Sequence, residues 1–559
     1  MSETVDAVVI GAGANGLVSG IILADQGWDV VVLEAAGTPG GAVRSGETVG
    51  PGFVVDLYSA FYPLGIASPV IRELDLEPYG LEWCHAPHVL AHPTLDGPAV
   101  VLDLDIDVTA ASLDQFSKGD GDAWRRLYGE WSAIEDPLLK ALMRPFPPVK
   151  DGLRLISRLG LYGGADFLRR GLLSVRRLAE ETFTGAGGGL LLAGNALHSD
   201  LTPETAIGGF LGWMLASIGQ SQGWPVPAGG AQAMVDAMVR RLEAAGGSLR
   251  CGARVDAIDV VGGRATGVAL ADGTTINARR AVVADVVAPK LYRQLLAGTD
   301  LPDRVDHELD RYQTGSATFK INWALSGPVP WADPSISRAG TIHLAESLDE
   351  LTFTAAELSA GQVPSKPFVL VGQMTTSDPR RSPPGTESLW AYTSVPQAVR
   401  SDAGGEGITG RWSPDDVEKF VRRMEDRIER FAPGFRSRIQ ARHVQSPVDM
   451  EASDANLILG DKSLGTAQIH QQLIWRPTTG LARPETFVDG LYLGSASAHP
   501  GGGVHGACGA NAARAALLHQ RVGRVRAVGQ AGAGRARSLG GAGASRARAL
   551  ARSGVDRIR

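Results

Sequence analysis

Apolar positions at 5 and 7–10, three glycines, a stretch with helical spacing and a second apolar run at 30–33 predict strand, turn, helix and strand within the first 34 residues. The same kind of chain returns twice. From about 224 to 284, Met234, Met238 and Leu242 share one helix face, with Gly246 and Gly247 as the stop signal. Three short strands follow, with turns at Gly262 and Gly263 and at Asp272 and Gly273, the last strand ending in the apolar run 281–284. From 490 to 518, a short apolar strand at 491–493 leads through a glycine-rich turn into an alanine-rich helix. Segment 76–222 reads as helix-rich, and segment 413–434 as an amphipathic structural helix opened by Ser413 and Pro414 and closed by Gly434. These patterns predict an α/β protein. A Rossmann-type nucleotide-binding domain is assembled from 1–75, 223–289 and 486–520, and an α+β substrate domain is inserted as 76–222 and 290–485.

Composition changes the picture in two places. With 559 residues, 44% hydrophobic and 20% charged, the chain has ample material for large cores. Its net charge of -6 makes a dedicated nucleic-acid binder the wrong class for the folded core. That charge is unevenly placed: residues 521–559 hold ten Arg, one acid (Asp556) and eight Gly and carry +9, leaving -15 on the rest. The expectation for this tail is disorder, as a solvated extension or as a contact for an anionic surface. Cys84, Cys251 and Cys508 are too few and too scattered for a disulfide framework, which suggests a reducing compartment. A strand already at 5–10 leaves no room for a targeting segment, and the apolar stretch 207–219 is too short and glycine-rich to span a bilayer. The expected location is cytoplasmic, soluble or peripheral at a membrane.

Chemistry concentrates first at the N-terminal turn. Gly11, Gly13 and Gly16 match G-x-G-x-x-G directly after a strand, the context in which the glycines allow a tight turn, close backbone approach to a pyrophosphate and helix–strand packing. Glu34 ends the second strand, where a carboxylate accepts hydrogen bonds from a ribose diol. Both NAD and FAD use such a half-site. Gly40, Gly41 and Arg44 add a second glycine turn and a cation just beyond the acid. Lys320 lies on an apolar stretch read as a strand, where an ammonium is costly to bury; a solvent exit at a sheet edge is the alternative to a function. His499 and His505 flank the glycine-rich turn of the third block and are candidate acid–base groups. Cys508, at a helix start, is a candidate for a lowered thiol pKa. Cys84, His85, His88 and His92 crowd together, but Pro87 and Pro93 make the segment extended and no metal is expected. Between 144 and 177, basic residues interleave with Leu153, Ile156, Phe167 and Leu172, a pattern suited either to a membrane surface or to a helix face packed on the core.

The order of glycine fingerprint, acid, Gly40–Gly41 doublet, middle block and LYLGSASAHPGGGVHG resembles the phytoene desaturase-like flavoproteins. Within them, HPGGGV, PFPPV at 145–149 and GWPVPAGG at 223–230 are most similar to the pyridine nucleotide-disulfide oxidoreductase domain-containing protein 2 group. The resemblance covers essentially 1–520 and implies one FAD, held by the fingerprint, Glu34, the glutathione-reductase-type doublet with Arg44, backbone at Val255 against the adenine, and Gly494, Gly502, Gly503 and Val504 toward the flavin. No second dinucleotide fingerprint and no C-x-x-C accompany it, so no NAD(P)H domain is expected. It also implies His470, Gln471 and Arg476 near a substrate cavity. Similarity to flavin amine oxidases implies a water held by Lys320 at flavin N5. The implied activity is hydride removal from a hydrophobic, isoprenoid-like substrate, with oxygen or a quinone as acceptor. Amine oxidation, flavin-dependent cis–trans isomerisation and a non-catalytic flavoprotein that acts by binding partners remain alternatives.

Overall fold

The computed structural model describes residues 3–479 and 483–521. The arginine-rich tail, for which disorder was the expectation, lies outside the described residues from 522 onward. The main compact unit is Met1–Ala513, and residues 514–521 of the remainder are helical.

Two seven-stranded sheets organise the main unit. In the first, Glu3–Ile10 lies centrally, parallel to Thr275–Ala284 on one side and to Val30–Leu33 on the other. Ser248–Arg250 extends one edge beside Val30–Leu33. On the other side, Arg264–Leu270 and Val255–Val261 follow as antiparallel neighbours. Leu491–Leu493 joins the far half of Thr275–Ala284 in parallel. Strands from three distant stretches of sequence therefore share one sheet. Val8, Val9, Val31 and Val282 are fully buried, which is why these strands read as unbroken apolar runs rather than alternating ones.

The second sheet runs Ile439–Gln445, Ala317–Leu325, Glu387–Val395, Val369–Gln373, Ala339–Leu344, His88–His92 and Val100–Leu102. Its neighbours are antiparallel except for Ala339–Leu344 against His88–His92. Ala317–Leu325 is an interior strand, paired on both sides and buried throughout, so Lys320 is not at an edge. The amphipathic helix at Pro414–Phe431 starts on Ser413, whose hydroxyl accepts from the Asp416 N–H, and buries Phe420, Met424 and Ile428 against this sheet's core.

Five helices, Asp120–Leu142, Val149–Leu172, Val175–Thr182, Ala186–Ala196 and Gly208–Gln222, cover the remaining core around Trp124, Trp131 and Trp213. The apolar stretch at 207–219 lies in one of them from Gly208 on, with Ile207 as its N-cap. Its glycines serve close packing: a Cβ at Gly212 would collide with the Leu192 carbonyl of the neighbouring helix. No described helix is long and apolar enough to cross a membrane. The basic segment is helical over Val149–Leu172 with a break at Gly160, φ 66°. Leu155, Leu159 and Phe167 turn to the core, while Leu153, Ile156, Leu168 and Leu172 are exposed.

The tightest approach is between the first helix, Ala14–Ala24, and the helix that begins at 507. A Cβ on Gly509 would collide with the Asn15 carbonyl, and the Ser19 hydroxyl donates to the Gly509 carbonyl at 3.0 Å. Gly509→Ala is therefore expected to destabilise the fold by about 1–3 kcal/mol, the usual cost of overpacking. Gly129 lies exposed within the helix Asp120–Leu142 with nothing near its missing Cβ, so Gly129→Ala should stabilise by up to about 1 kcal/mol. Chemical denaturation of both variants checks the opposite signs.

Candidate functional site

One cavity of about 1160 Å³ runs from the first glycine turn to the helical layer. Small-molecule sites usually occupy about 300–1,000 Å³, so this one is large enough for a long ligand and a second molecule beside it.

At its first end the strand Glu3–Ile10 delivers the chain into the turn at 11–13. Gly11 has φ +93°, and a Cβ on Gly16 would collide with the Gly11 carbonyl, so the residue types are dictated by backbone contact. Glu34 closes the turn from below: its carboxylate accepts from the Ala12 N–H at 2.8 Å and the Ala36 N–H at 2.9 Å. Gly40 and Gly41, φ +130° and +54°, bring the second turn alongside the first, where the Gly40 N–H donates to the Ala12 carbonyl at 2.9 Å. Arg44 is pinned by its Nε to the Gly41 carbonyl at 2.8 Å and by its guanidinium to the Tyr58 hydroxyl at 2.8 Å. Val255, with Ala253 and Arg254, lines the same end. The paired glycine turns, the start of the helix Ala14–Ala24 and the strand-end acid fit the adenosine and diphosphate of a dinucleotide.

Asp285 carried no local motif and was not foreseen. It follows the strand Thr275–Ala284, and its Oδ2 accepts from the Gly16 N–H at 2.9 Å. A Cβ on Gly13 would lie 2.7 Å from that oxygen, so the carboxyl stands directly over the turn. Burial pushes it up to about 7, with Asp454 and Glu34 adding repulsion.

The third segment closes the middle of the cavity. Gly502, Gly503, Val504 and His505 line it, whereas Gly494 packs on Val283 outside the lining. Burial holds His499 and His505 down to about 4, so both are neutral near pH 7. His505 Nδ1 accepts from the Ala507 N–H at 3.0 Å and thereby caps the following helix. His499 Nε2 lies 2.9 Å from the Arg144 carbonyl. Cys508 departs from the expectation of a lowered pKa: it is fully buried, its Sγ faces the Ala498 and Gly501 carbonyls, and burial pushes the thiol up to about 12. Among the described residues all three cysteines are unpaired.

Lys320 enters from the second sheet and is 1% exposed. Its Nζ donates to the Asp56 carbonyl at 2.7 Å and to Asn322 Oδ1 at 2.8 Å, and it lies 5.5 Å from the Trp390 ring centroid. The Asp56 carboxylate pairs with Arg381 at 2.7 Å, both fully buried. Burial lowers the lysine well below its ordinary value; Asp56 opposes that shift and Arg381 reinforces it. Of the three residues placed near the cavity in the segment 470–476, only Arg476 lines it. Its guanidinium is spent on the Ala496, Thr466, Ser463 and Leu464 carbonyls. Gln471 clamps the Gln313 backbone, and His470 contacts the Gln313 side chain at 3.0 Å, both behind the wall. His88 to His92 is a strand, and no described cluster of His, Cys, Asp and Glu has the geometry of a metal site.

Residues 100–417 match the family of flavin containing amine oxidoreductases, and residues 9–74 match the NAD(P)-binding Rossmann-like domain. Pyridine nucleotide-disulfide oxidoreductase domain-containing protein 2 of Mus musculus is 30% identical over 552 residues, covering 91% of this chain and 92% of the relative. The lycopene-forming phytoene desaturase of Pseudescherichia vulneris is 26% identical, covering 91% and 98%. Cyclohexylamine oxidase from Brevibacterium oxydans has the same fold, with TM-score 0.53, 16% identity, and coverage of 92% of this chain and 99% of that structure.

Asp285, which ionises as the pH rises through about 7, stands over the glycine turn that would hold the pyrophosphate of FAD. Ionisation beside an anion opposes binding, so the Kd of the deflavinated protein for FAD should rise by up to about fivefold between pH 7 and 8. Asp285→Asn keeps an acceptor for the Gly16 N–H and should give a flat profile. Fluorescence titration at both pH values checks this, and parallel profiles in the two proteins would exclude the role. Turn geometry, cavity and family match agree: the chain belongs to the flavin-containing amine oxidoreductase family and is an FAD-dependent oxidoreductase.

Proposed function

We propose that this oxidoreductase introduces a double bond into a lipophilic, isoprenoid-like substrate, removing a hydride from one carbon and a proton from its neighbour. The observation that carries this reading is the lining of the cavity beyond the cofactor segments: Leu142, Met143, Leu201, Phe210, Leu211 and Met214. The carboxylates in the described lining, Glu34, Asp256, Asp285 and Asp454, do not belong to that apolar wall; Glu34, Asp285 and Asp454 cluster at the glycine turns. Desolvating an apolar chain there is favourable, whereas a cation would find no compensating charge. FAD, when bound, supplies the two-electron acceptor, and the protein supplies alignment and exclusion of water. Oxygen or a quinone then takes the electrons. The relative named as a lycopene-forming phytoene desaturase supports this substrate class. The exposed Leu153, Ile156, Leu168 and Leu172, set among Arg154, Arg158 and Arg169, support a peripheral membrane contact from which such a substrate is drawn.

A second reading, amine oxidation, is supported by Lys320, which stands at the cavity wall within the stretch that matches the flavin containing amine oxidoreductases, although a buried amine there suits oxygen chemistry in either enzyme type. With its pKa lowered by burial, Nζ holds two acceptors and has one further position for a proton or a water facing the cavity.

Anaerobic mixing of the yellow protein with isoprenoids or with primary amines, following flavin absorbance, separates the readings. Bleaching by isoprenoids is the expected outcome. Bleaching by amines alone would transfer the assignment to amine oxidation, and product formed without net bleaching to isomerisation. In the same apparatus, Lys320→Met should slow reoxidation by oxygen at least tenfold while flavin content is retained. An unchanged reoxidation rate would remove the lysine from the oxidative half-reaction.

A further inference from the structure

A polar corner interrupts the apolar half of the cavity. His198, Tyr392 and Lys462 all line it, and none belongs to the glycine turns or the closing loop. His198 follows the helix Ala186–Ala196, Tyr392 lies on the strand Glu387–Val395 two residues beyond Trp390, and Lys462 lies in the loop after Asp461.

The donors of this corner can be worked out from its back wall. His198 Nε2 and His343 Nε2 are 2.9 Å apart, so one carries a proton and the other accepts it. His343 Nδ1 is buried without a partner, and a Cβ at Gly194 would collide with it, which leaves no place there for an N–H and its acceptor. The His343 proton therefore sits on Nε2 and is donated to His198 Nε2. That fixes the His198 proton on Nδ1, 3.4 Å from the Tyr392 hydroxyl. Burial depresses both imidazoles, His198 to about 3, so neither takes a second proton near pH 7.

Lys462 completes the corner, its Nζ 4.5 Å from the Tyr392 ring centroid. It is enclosed by protein yet retains accessible surface, so that surface belongs to the cavity. No described hydrogen bond or ion pair engages its Nζ. The nearest acids are already committed. Asp461 accepts from the Ser463, Gly465 and Gly315 N–H groups, and Asp200 from the Ala467 N–H and the Thr466 hydroxyl. They moderate the lysine's loss of charge by burial without occupying its hydrogens.

We propose that His198, Tyr392 and Lys462 form a subsite for the carboxylate of the substrate, making it an amphipathic acid with a long apolar body rather than a bare hydrocarbon or an amine. The subsite presents the Tyr392 hydroxyl, held by the His198 Nδ1–H, and the Lys462 amine in an apolar enclosure; a carboxylate beside that amine favours its charged form, and a charged acceptor gains most from such donors. The six apolar residues named above receive the body. This rests on the reading that the apolar chamber holds the oxidised substrate.

Equilibrium titration of the oxidised holoenzyme with decanoate, 1-decanol and decylamine, followed by calorimetry, tests it without turnover. Decanoate should bind at least tenfold tighter than 1-decanol, with decylamine weakest. Lys462→Met and His198→Phe should each remove most of that preference while leaving 1-decanol within twofold, and Lys462→Arg should restore it. Unchanged flavin content and melting temperature identify variants that are intact. Equal binding of decanoate and 1-decanol, or a preference that survives Lys462→Met, would overturn the carboxylate subsite and leave the apolar chamber standing. Failure of all three ligands to bind a flavin-loaded protein would overturn both.

Discussion

Everything in this fold depends on three stretches of backbone, hundreds of residues apart, meeting at one point with only the Asp285 side chain between them. Gly16 lies against the Gly11 carbonyl, Gly509 against the Asn15 carbonyl, and Asp285 reaches from a third stretch to accept from the Gly16 N–H. Each contact fixes a different partner of the cofactor site: the phosphate turn, the closing helix and the strand between them. The chain can carry two large insertions because this crossing restores the register after each one. Its cost is that small residues are obligatory there and that a carboxyl is buried where an anion must bind.

A second buried polar knot couples the cofactor side to the substrate side. The Asp56 carboxylate accepts from the Ser45 hydroxyl at 2.7 Å and the Ala231 N–H at 2.9 Å and pairs with Arg381, while its carbonyl takes the Lys320 ammonium. The ion pair is already internally neutral, so the third charge has no counterion of its own and the lysine is driven toward its neutral form. An amine in that condition can give or take a proton at the cavity wall, which a surface lysine with its ordinary affinity does less readily.

The legible part of the sequence was the part whose physics is local. Gly11, Gly13, Gly16, Glu34, Gly40 and Gly41 act through turns and strand ends that a few neighbouring residues specify, and the helix stops and strand runs of the three cofactor segments were readable for the same reason. Asp285, Asp56 and Arg381 were not readable, because each acquires its role from partners more than a hundred residues away. Cys508 shows the limit from the other direction. Position at a helix start predicted a lowered thiol, but the fold encloses that start in the closing loop, and burial outweighs the helix terminus. His470 and Gln471 sit in a recognisable segment yet face its supporting loop, since two successive 3₁₀ turns at Ile469–Gln471 and Leu473–Trp475 decide which side chains face inward.

The distribution of charge along the cavity bears directly on what it oxidises. Glu34, Asp285 and Asp454 gather at the glycine turns that would hold the ribose and diphosphate, while Lys320 and Lys462 line the cavity beyond those turns. A protonated amine entering that compartment would meet no free carboxylate, so it would first have to lose its proton and its hydration. A hydrocarbon has neither cost but leaves the Tyr392 hydroxyl and the Lys462 amine without acceptors in an apolar enclosure, which is itself unfavourable. The amphipathic acid proposed above would satisfy both walls at once, which neither an amine nor a bare hydrocarbon would do.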